Sequence, residues 1–167
     1  MVIRSGTPED AEAVARVHLE TWRAAYGHVF PAEQLADMSS ERVAQRAALH
    51  RRFPPIVADA DGRIVGFVSV GPSRDEDAEG ELLAIYVHPD QWGTGVGRAL
   101  IEAGEQELEA RGHSDVVLWV LEDNPRARAF SERAGWTTDG TRRPIEVFDV
   151  EVPEVRYRKR LRPVERA

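Results

Sequence analysis

The sequence predicts a mixed α/β fold, a central sheet covered by helices. Three observations predict it. Short apolar runs of strand character alternate with segments of helical spacing. Turn and capping residues punctuate the junctions between them. The order is one strand, two helices, a meander of strands, then helix, strand, helix and strands, which is not the strict alternation of a doubly wound sheet. A length of 167 residues suits one domain with a real core. No repeat, low-complexity stretch or linker divides the chain, so residues 1–167 read as a single domain.

Val2-Ile3-Arg4 reads as a short strand. Thr7 then caps a helix with Pro8 at its first position and Asp10 three residues after the cap. Ala11, Val14, His18, Trp22 and Tyr26 recur on one face of that helix, and Gly27 ends it. Ser39 or Ser40 caps a second helix running to about Phe53, where Pro54-Pro55 stops it. Ile56–Ala58 and Ile64–Val70 flank Asp61-Gly62, the signal of a type I′ hairpin turn. Gly71 to Gly80 is an acidic loop, read as solvated and mobile. Leu82 to Val87 is a buried strand. Gly95 to Arg111 carries Val96, Ala99, Leu100 and Ala103 at helical spacing, with Gly112 as its terminator. Val116 to Leu121 is a continuous apolar strand. Asn124 caps a short helix with Pro125 at its start and Gly135 at its end. Val147–Val150 and Val155–Leu161 read as closing strands.

Composition excludes several classes. A chain 42% hydrophobic and 31% charged is not disordered overall. The absence of cysteine excludes a disulfide scaffold, a thiolate zinc site and cysteine nucleophilic catalysis. No metal is called for. No apolar run approaches the roughly 20 residues of a membrane span, and the first residues lack the apolar segment of a signal peptide. A cytoplasmic protein with no membrane partner is expected. A net charge of -7 argues against a nucleic-acid partner. The basic run Arg156 to Arg162 reads as a solvated edge strand.

The chemistry-bearing stretch is Val87-His88-Pro89-Asp90-Gln91-Trp92-Gly93-Thr94-Gly95-Val96-Gly97-Arg98. A strand runs into a loop with three glycines, and a helix starts inside it. Free backbone N–H groups and the helix dipole together make an anion site. The loop is neither a P-loop nor a Gly-x-Gly-x-x-Gly fingerprint. Taken alone, it is equally a tight connection.

This stretch resembles the cofactor motif of the GNAT superfamily of N-acetyltransferases. Its aliphatic-x-Val-x-Pro strand end is Ile85-Tyr86-Val87-His88-Pro89, and its glycine segment is Trp92-Gly93-Thr94-Gly95-Val96-Gly97. A second block, Asn124-Pro125-Arg126-Ala127-Arg128-Ala129-Phe130-Ser131-Glu132-Arg133-Ala134-Gly135-Trp136, is similar to the family's Asn-x-x-Ala…Phe-Tyr-x-x-x-Gly-Phe segment. The resemblance implies a mixed, mostly antiparallel sheet with about four flanking helices, and acetyl-CoA as cofactor. The main-chain groups of Ile85, Tyr86 and Val87 would pair with the pantetheine arm, as an added strand does. The N–H groups of Gly93, Thr94, Gly95, Val96, Gly97 and Arg98 would hold the pyrophosphate. Asn124 would bond the pantetheine arm as well as cap its helix.

Three positions depart from the family pattern. Trp92 stands where the family has Gln or Arg. Ser131 stands at the tyrosine that donates a proton to the leaving thiolate, and it could act only through a water. Trp119 stands where some relatives carry a glutamate base. The first candidate base is Glu81, in the strand with Leu83, Ile85 and Val87 on alternate positions, and it matches the glutamate of histone-acetylating relatives; the plain alternative is an exposed strand-entry carboxylate beside Glu79. Tyr86 reads as a core or substrate-wall aromatic, and His88 as structural. Trp22 and Tyr26 read as core aromatics that could also stack on an acceptor. Asp75, Glu76, Asp77, Glu79 and Glu81 could draw in a cationic amine.

The expected function is acetyl transfer from acetyl-CoA directly to a primary amine, either a small molecule or a peptide or protein amine. The alternative is a non-catalytic acyl-CoA-binding or sensing domain, which Ser131 makes plausible. A third reading uses the glycine loop alone to bind nucleotides. An open sheet with an edge to cover suits a homodimer through the C-terminal strands.

Overall fold

The computed structural model describes residues 1–25, 40–147 and 150–162. Among these are seven strands and four α-helices. Strand β1 is Val2–Ser5, and a 3-10 turn at Pro8–Asp10 leads into α1, Ala11–Ala25. Helix α2 is Ser40–Arg52. Strands β2, Ile56–Ala60, and β3, Arg63–Pro72, form the expected hairpin. Strand β4 is Gly80–Val87, followed by a second 3-10 turn at Pro89–Gln91 and by α3, Val96–Ala110. Strand β5 is Asp115–Leu121 and α4 is Pro125–Arg133. Strands β6, Thr137–Val147, and β7, Val150–Arg160, complete the described chain.

The strands form one mixed sheet in the order β1-β2-β3-β4-β5-β7-β6. The pairs β1–β2, β2–β3, β5–β7 and β6–β7 are antiparallel. Strands β4 and β5 run parallel, in register at Gly80↔Val116 and Glu81↔Val117. The mixed, mostly antiparallel sheet with four helices is the predicted fold class.

Local signals act as the sequence requires. The Asp10 carboxylate accepts the Thr7 N–H at 2.8 Å and the Thr7 hydroxyl at 3.2 Å, which fixes the entry to α1. Asp61 and Gly62 turn the hairpin at φ 53° and 90°. At the end of α3, Gly112 N–H donates to Glu109 O and His113 N–H to Leu108 O, a Schellman closure. Tyr26, Gly27 and Ser39 lie outside the described residues.

Two expectations change. Residues Val147 and Val150 do not form a strand of their own: they are the end of β6 and the start of β7. Strand β6 is long and its sequence hides it. It is mostly exposed and polar, and Asp139-Gly140 and Pro144 read as turn residues. As the last strand of the sheet it can accommodate a proline, because an edge strand need not donate on both sides. The acidic loop is not a free solvated segment, as described below.

The chain clusters into two compact units. One comprises Met1–Ser69 and Ala84–Gly104. Its core joins Val14 and Val17 of α1 to Val57, Ile64 and Phe67 of the hairpin, with Ala84 and Tyr86 against them. Ala11 and Ala15 of α1 meet Val43 and Ala47 of α2, small residues that let the helices approach closely. Gly66 is required by a close approach: a Cβ there would lie 2.9 Å from the Tyr86 carbonyl oxygen and 2.8 Å from Leu100 Cδ1. Among the described residues of this unit, His18 and His50 are buried. His18 stacks on Tyr86, 4.4 Å between centroids, and His50 meets Phe67 edge-on at 5.3 Å. His18 Nδ1 and His50 Nε2 have no hydrogen-bond partner among the described residues. Burial, with Arg46 and His50 nearby, pushes His18 down to about 3. Burial and Arg46 also push His50 below the usual histidine value.

The other unit comprises Val70–Leu83 and Glu105–Ala167. Arg156 of β7 is its electrostatic centre, 5% exposed. Its guanidinium donates to Asp139 at 2.7 Å, to both oxygens of Asp77 at 2.7 Å and to Asp75 at 3.2 Å. Arg158 adds bonds to Asp115, to Asp139 and to the Asp77 carbonyl. Glu79 accepts three bonds from Ser114 and Asp115, which hold its carboxyl at about 2. The acidic loop 73–79 is thereby clamped: Asp75 and Asp77 pair with arginines and Glu79 with Ser114 and Asp115, while Glu76, Asp77 and Glu79 stay exposed.

Two consequences are measurable. His18 is protonated in the unfolded chain below about pH 6.5 but stays neutral in the fold, so stability present above that pH is lost as pH falls toward 3. Between pH 6.5 and pH 5 the unfolding free energy should drop by about 2 kcal/mol, at 1.36 kcal/mol per unit. Urea titrations of His18→Phe should show most of that slope gone, and an undiminished slope would assign it elsewhere. Arg156→Gln should lower stability by about 2 kcal/mol, because it removes charged hydrogen bonds to three aspartates and leaves them only Arg158 and Arg143 as cations. Amide exchange in 73–79 should rise in parallel; protection equal to the parent would show that the loop holds without Arg156.

Candidate active site

A first group of candidate residues lies where β4 hands over to α3. Gly93 and Gly95 have φ of 77° and 92°. A Cβ at either would meet no heavy atom within 4 Å, so these glycines are needed for their backbone conformation and not for room. Thr94 Oγ1 donates to the Gln91 carbonyl at 2.6 Å and closes the turn. The first intrahelical bond of α3 runs from Ala99 N–H to Gly95 O. The N–H groups of Val96, Gly97 and Arg98 therefore have no carbonyl partner within the helix. They carry the positive end of the helix dipole. Val96 is buried, while Gly93, Thr94, Gly95 and Arg98 are exposed. This is chemistry suited to a phosphate group, as the sequence predicts.

Trp92 has a role that its sequence position does not announce. Its indole N–H donates to the Val87 carbonyl at 2.9 Å, and the Thr21 hydroxyl donates to the same oxygen at 3.3 Å. The tryptophan staples the glycine loop to the strand end. Tyr86 and Trp22 also meet: the Trp22 indole N–H donates to the Tyr86 hydroxyl at 2.9 Å. Ile85, Tyr86 and Val87 are half-buried, as is Trp22.

His88 is held at both nitrogens. Nε2 lies 2.7 Å from Glu20 Oε2, and Nδ1 accepts the Asp90 N–H at 3.2 Å. Asp90 in turn binds Arg63 at 2.8 Å, which holds its carboxyl below the usual range. Glu20, Arg23, Ala24 and His88 line a cleft of about 440 Å³. Nothing in the helical periodicity of α1 marks Glu20 as a partner of His88, 68 residues away.

The remaining candidates lie in the other unit. Asn124 caps α4, its side-chain oxygen accepting from Ala127 N–H at 3.1 Å. Ser131 is buried and its hydroxyl donates to the Ala127 carbonyl at 3.0 Å. Glu81 is only 1% exposed, so it is not the exposed strand-entry carboxylate of the plain reading. Both its oxygens accept from Arg74, which sequence reasoning did not single out. Trp119 donates to Asp75 at 2.8 Å, with the Arg143 guanidinium 3.9 Å above its ring. Among the described residues no helix is long and apolar enough to cross a membrane.

A model of the acetyltransferase (GNAT) family matches residues 12–136. The uncharacterized N-acetyltransferase YuaI of Bacillus subtilis is 33% identical over 128 residues, 75% of this chain and 74% of that protein. A mycothiol acetyltransferase of Kocuria rhizophila is 41% identical over 90 residues, which are 52% of this chain but 30% of that protein. The crystal structure of the PaiA N-acetyltransferase of Thermoplasma acidophilum, in complex with coenzyme A, has a TM-score of 0.71 at 20% identity, over 95% of this chain and 98% of that one. YncA of Salmonella typhimurium, a putative acetyltransferase solved with acetyl-CoA, also scores 0.71 at 20% identity, over 99% and 96% of the two chains. These structural likenesses agree with the fold derived above. With the family's pattern running through more than half of its length, the chain belongs to the GNAT family of acetyltransferases.

Proposed function

We propose that this acetyltransferase is a cytoplasmic, single-domain enzyme that uses acetyl-CoA to acetylate a primary amine, on a small molecule or a peptide. The observation that carries the cofactor is the glycine loop, whose positive-φ residues precede the unpaired first turn of α3. In this reading the N–H groups of Gly93, Thr94, Gly95, Val96, Gly97 and Arg98 hold the pyrophosphate. The Val87 carbonyl already accepts two bonds, so Ile85 and Tyr86 supply most of the main-chain pairing to the pantetheine arm, with Asn124. The N-acetyltransferase relative of Bacillus subtilis supports an amine acceptor.

Acetyl-CoA supplies an activated thioester, whose C–S bond breaks as the amine nitrogen forms the amide bond. The chain's own residues must accept the proton of an ammonium, which has no lone pair until it is lost. Glu81 is the proposed acceptor of that proton. Ser131, tied to Ala127, could reach a leaving thiolate only through water. A free thiol has a pKa of about 8.5, so its thiolate leaves without a strong acid beside it. Trp22 is proposed to wall the acceptor; Tyr26 shares that proposal from the sequence alone.

One observation favours a second reading, acyl-CoA binding without turnover. Both candidate catalytic groups are already engaged, Glu81 by Arg74 and Ser131 by Ala127. Release of coenzyme A that requires an added amine separates the two readings.

Calorimetric titration should give tight binding of acetyl-CoA and none of ATP. Gly95→Val should weaken acetyl-CoA at least tenfold, since a branched residue at φ 92° forces the loop out of shape. Unaltered affinity would remove the pyrophosphate from this loop. Ser131→Ala should lower kcat by less than tenfold. A true general acid contributes about 10²–10⁴-fold, so a loss in that range would restore Ser131 as the proton donor.

A further inference from the structure

Glu81 presents a chemical problem for the role just assigned to it. A carboxylate this deep is tolerated as an anion only with a cation or several donors against it. Its partners divide into two kinds. The Arg74 backbone N–H donates to Oε1 at 3.1 Å. The Arg74 side chain supplies the rest: Nε lies 3.4 Å from Oε1 and 3.2 Å from Oε2, and Nη2 lies 2.5 Å from Oε2.

These two kinds differ in freedom to move. The backbone of 73–79 is clamped by Arg156 on Asp75 and Asp77, and by Glu79 on Ser114 and Asp115. The Arg74 side chain is instead 58% exposed, although the carboxylate beneath it is 1% exposed. Asp75 and Glu154 also act on the Arg74 charge. A guanidinium that swings away from Oε2 therefore stays among carboxylates and in water. Glu81 has no such escape: its backbone bond holds it in place, and it needs a replacement cation.

We propose that Arg74 is a displaceable latch on Glu81, and that the acceptor enters as an alkylammonium ion that takes the guanidinium's place at Oε2. This rests on the acetyltransferase reading and narrows its substrate. The site selects amines that are protonated near neutral pH, and discriminates against aryl amines, alcohols and thiols, which bring no cation to the exchange. The ammonium proton passes to Glu81 Oε2, which frees the nitrogen lone pair. Glu81 later loses that proton to solvent as Arg74 closes again. No oxidant or further reactant is needed. Arg74 is a positioning residue here and touches neither the thioester nor the thiolate.

The test uses the full-length protein with n-butylammonium chloride as probe, and n-butanol and sodium chloride at equal concentrations as controls. In ¹⁵N NMR spectra, n-butylammonium should shift the Arg74 Nε–H and Glu81 amide signals, whereas the controls should leave both unmoved. In R74Q the same titration should give at least fivefold tighter binding, because the competing cation is gone; E81Q should abolish the response. A purely structural ion pair predicts no response of Arg74 Nε–H to the probe and no gain in R74Q, and either result overturns the latch. If R74Q does not fold, R74K serves: a single ammonium cannot fork onto both oxygens, and the probe should bind more tightly there too. Acetyl-CoA calorimetry on the same samples keeps the two claims apart. Lost cofactor binding refutes the acetyltransferase reading, while intact cofactor binding with no probe response refutes the latch alone.

Discussion

A strand that ends in a glycine loop must hand its last carbonyl to some donor, or leave it stranded beside the site it frames. In β4 that carbonyl belongs to Val87, and it takes the Trp92 indole and the Thr21 hydroxyl together. The geometry of the loop depends on this joint. Trp92 sits just before Gly93, so its anchor sets where the two positive-φ glycines begin and where α3 presents its first N–H groups. Thr21 brings α1 to the same oxygen, and one turn of helix earlier His18 stacks on Tyr86. The aromatic face of α1 is thus packing first.

The second unit is organised by the geometry of arginine. Nearly all basic residues of the chain are arginine, which composition alone reads as a bias of the source genome. The fold exploits the planar fork. Arg156 reaches three aspartates at once, and Arg4 bridges Asp10 and Asp59 in the same manner. An ammonium is a point charge and cannot span such an arc. Lys159, the one lysine, occupies a place that suits it, with Glu105 at 2.6 Å and the Ala134 carbonyl at 2.8 Å. The acidic loop therefore gains order where an isolated reading of its charges predicts mobility.

What was legible in the sequence was local backbone chemistry. The Asn124 cap, the Asp61-Gly62 turn, the Gly112 closure and the glycine loop each depend on a few consecutive residues, and each stands where expected. The conformation of the glycine loop could be read for the same reason, since its candidate donors are main-chain groups. Strand β6 was not legible because its first four residues are exposed and polar, and the alternating half-buried positions that follow begin with Thr141 and Arg143, which give no apolar period. Side-chain partners were illegible for a different reason. Glu20 with His88, Trp22 with Tyr86 and Asp77 with Arg156 are each separated by more than sixty residues. Such pairings follow from the sheet order, and no spacing rule within one segment contains them. The Arg74–Glu81 pair is closer in sequence, but only the burial of Glu81 gives it meaning.

The three departures from the family pattern share one physical feature. Trp92 bonds the Val87 carbonyl, Ser131 bonds the Ala127 carbonyl, and Trp119 bonds Asp75 under the Arg143 guanidinium. At each position where relatives place a group for catalysis or cofactor binding, this chain has a residue engaged in holding its own structure. Proton transfer under the proposed activity then rests on fewer groups. Removing the acid from Ser131 is tolerable, because a thiolate is already a good leaving group near neutral pH. Removing the base is not tolerable, because an ammonium cannot attack. A single buried carboxylate held in reserve by an exposed guanidinium satisfies both conditions. Under that proposal it needs no permanent open cavity, and it becomes available only when another cation takes the place of Arg74. In this arrangement the selectivity for the acceptor and the activation of its nitrogen arise from the same oxygen atom of Glu81.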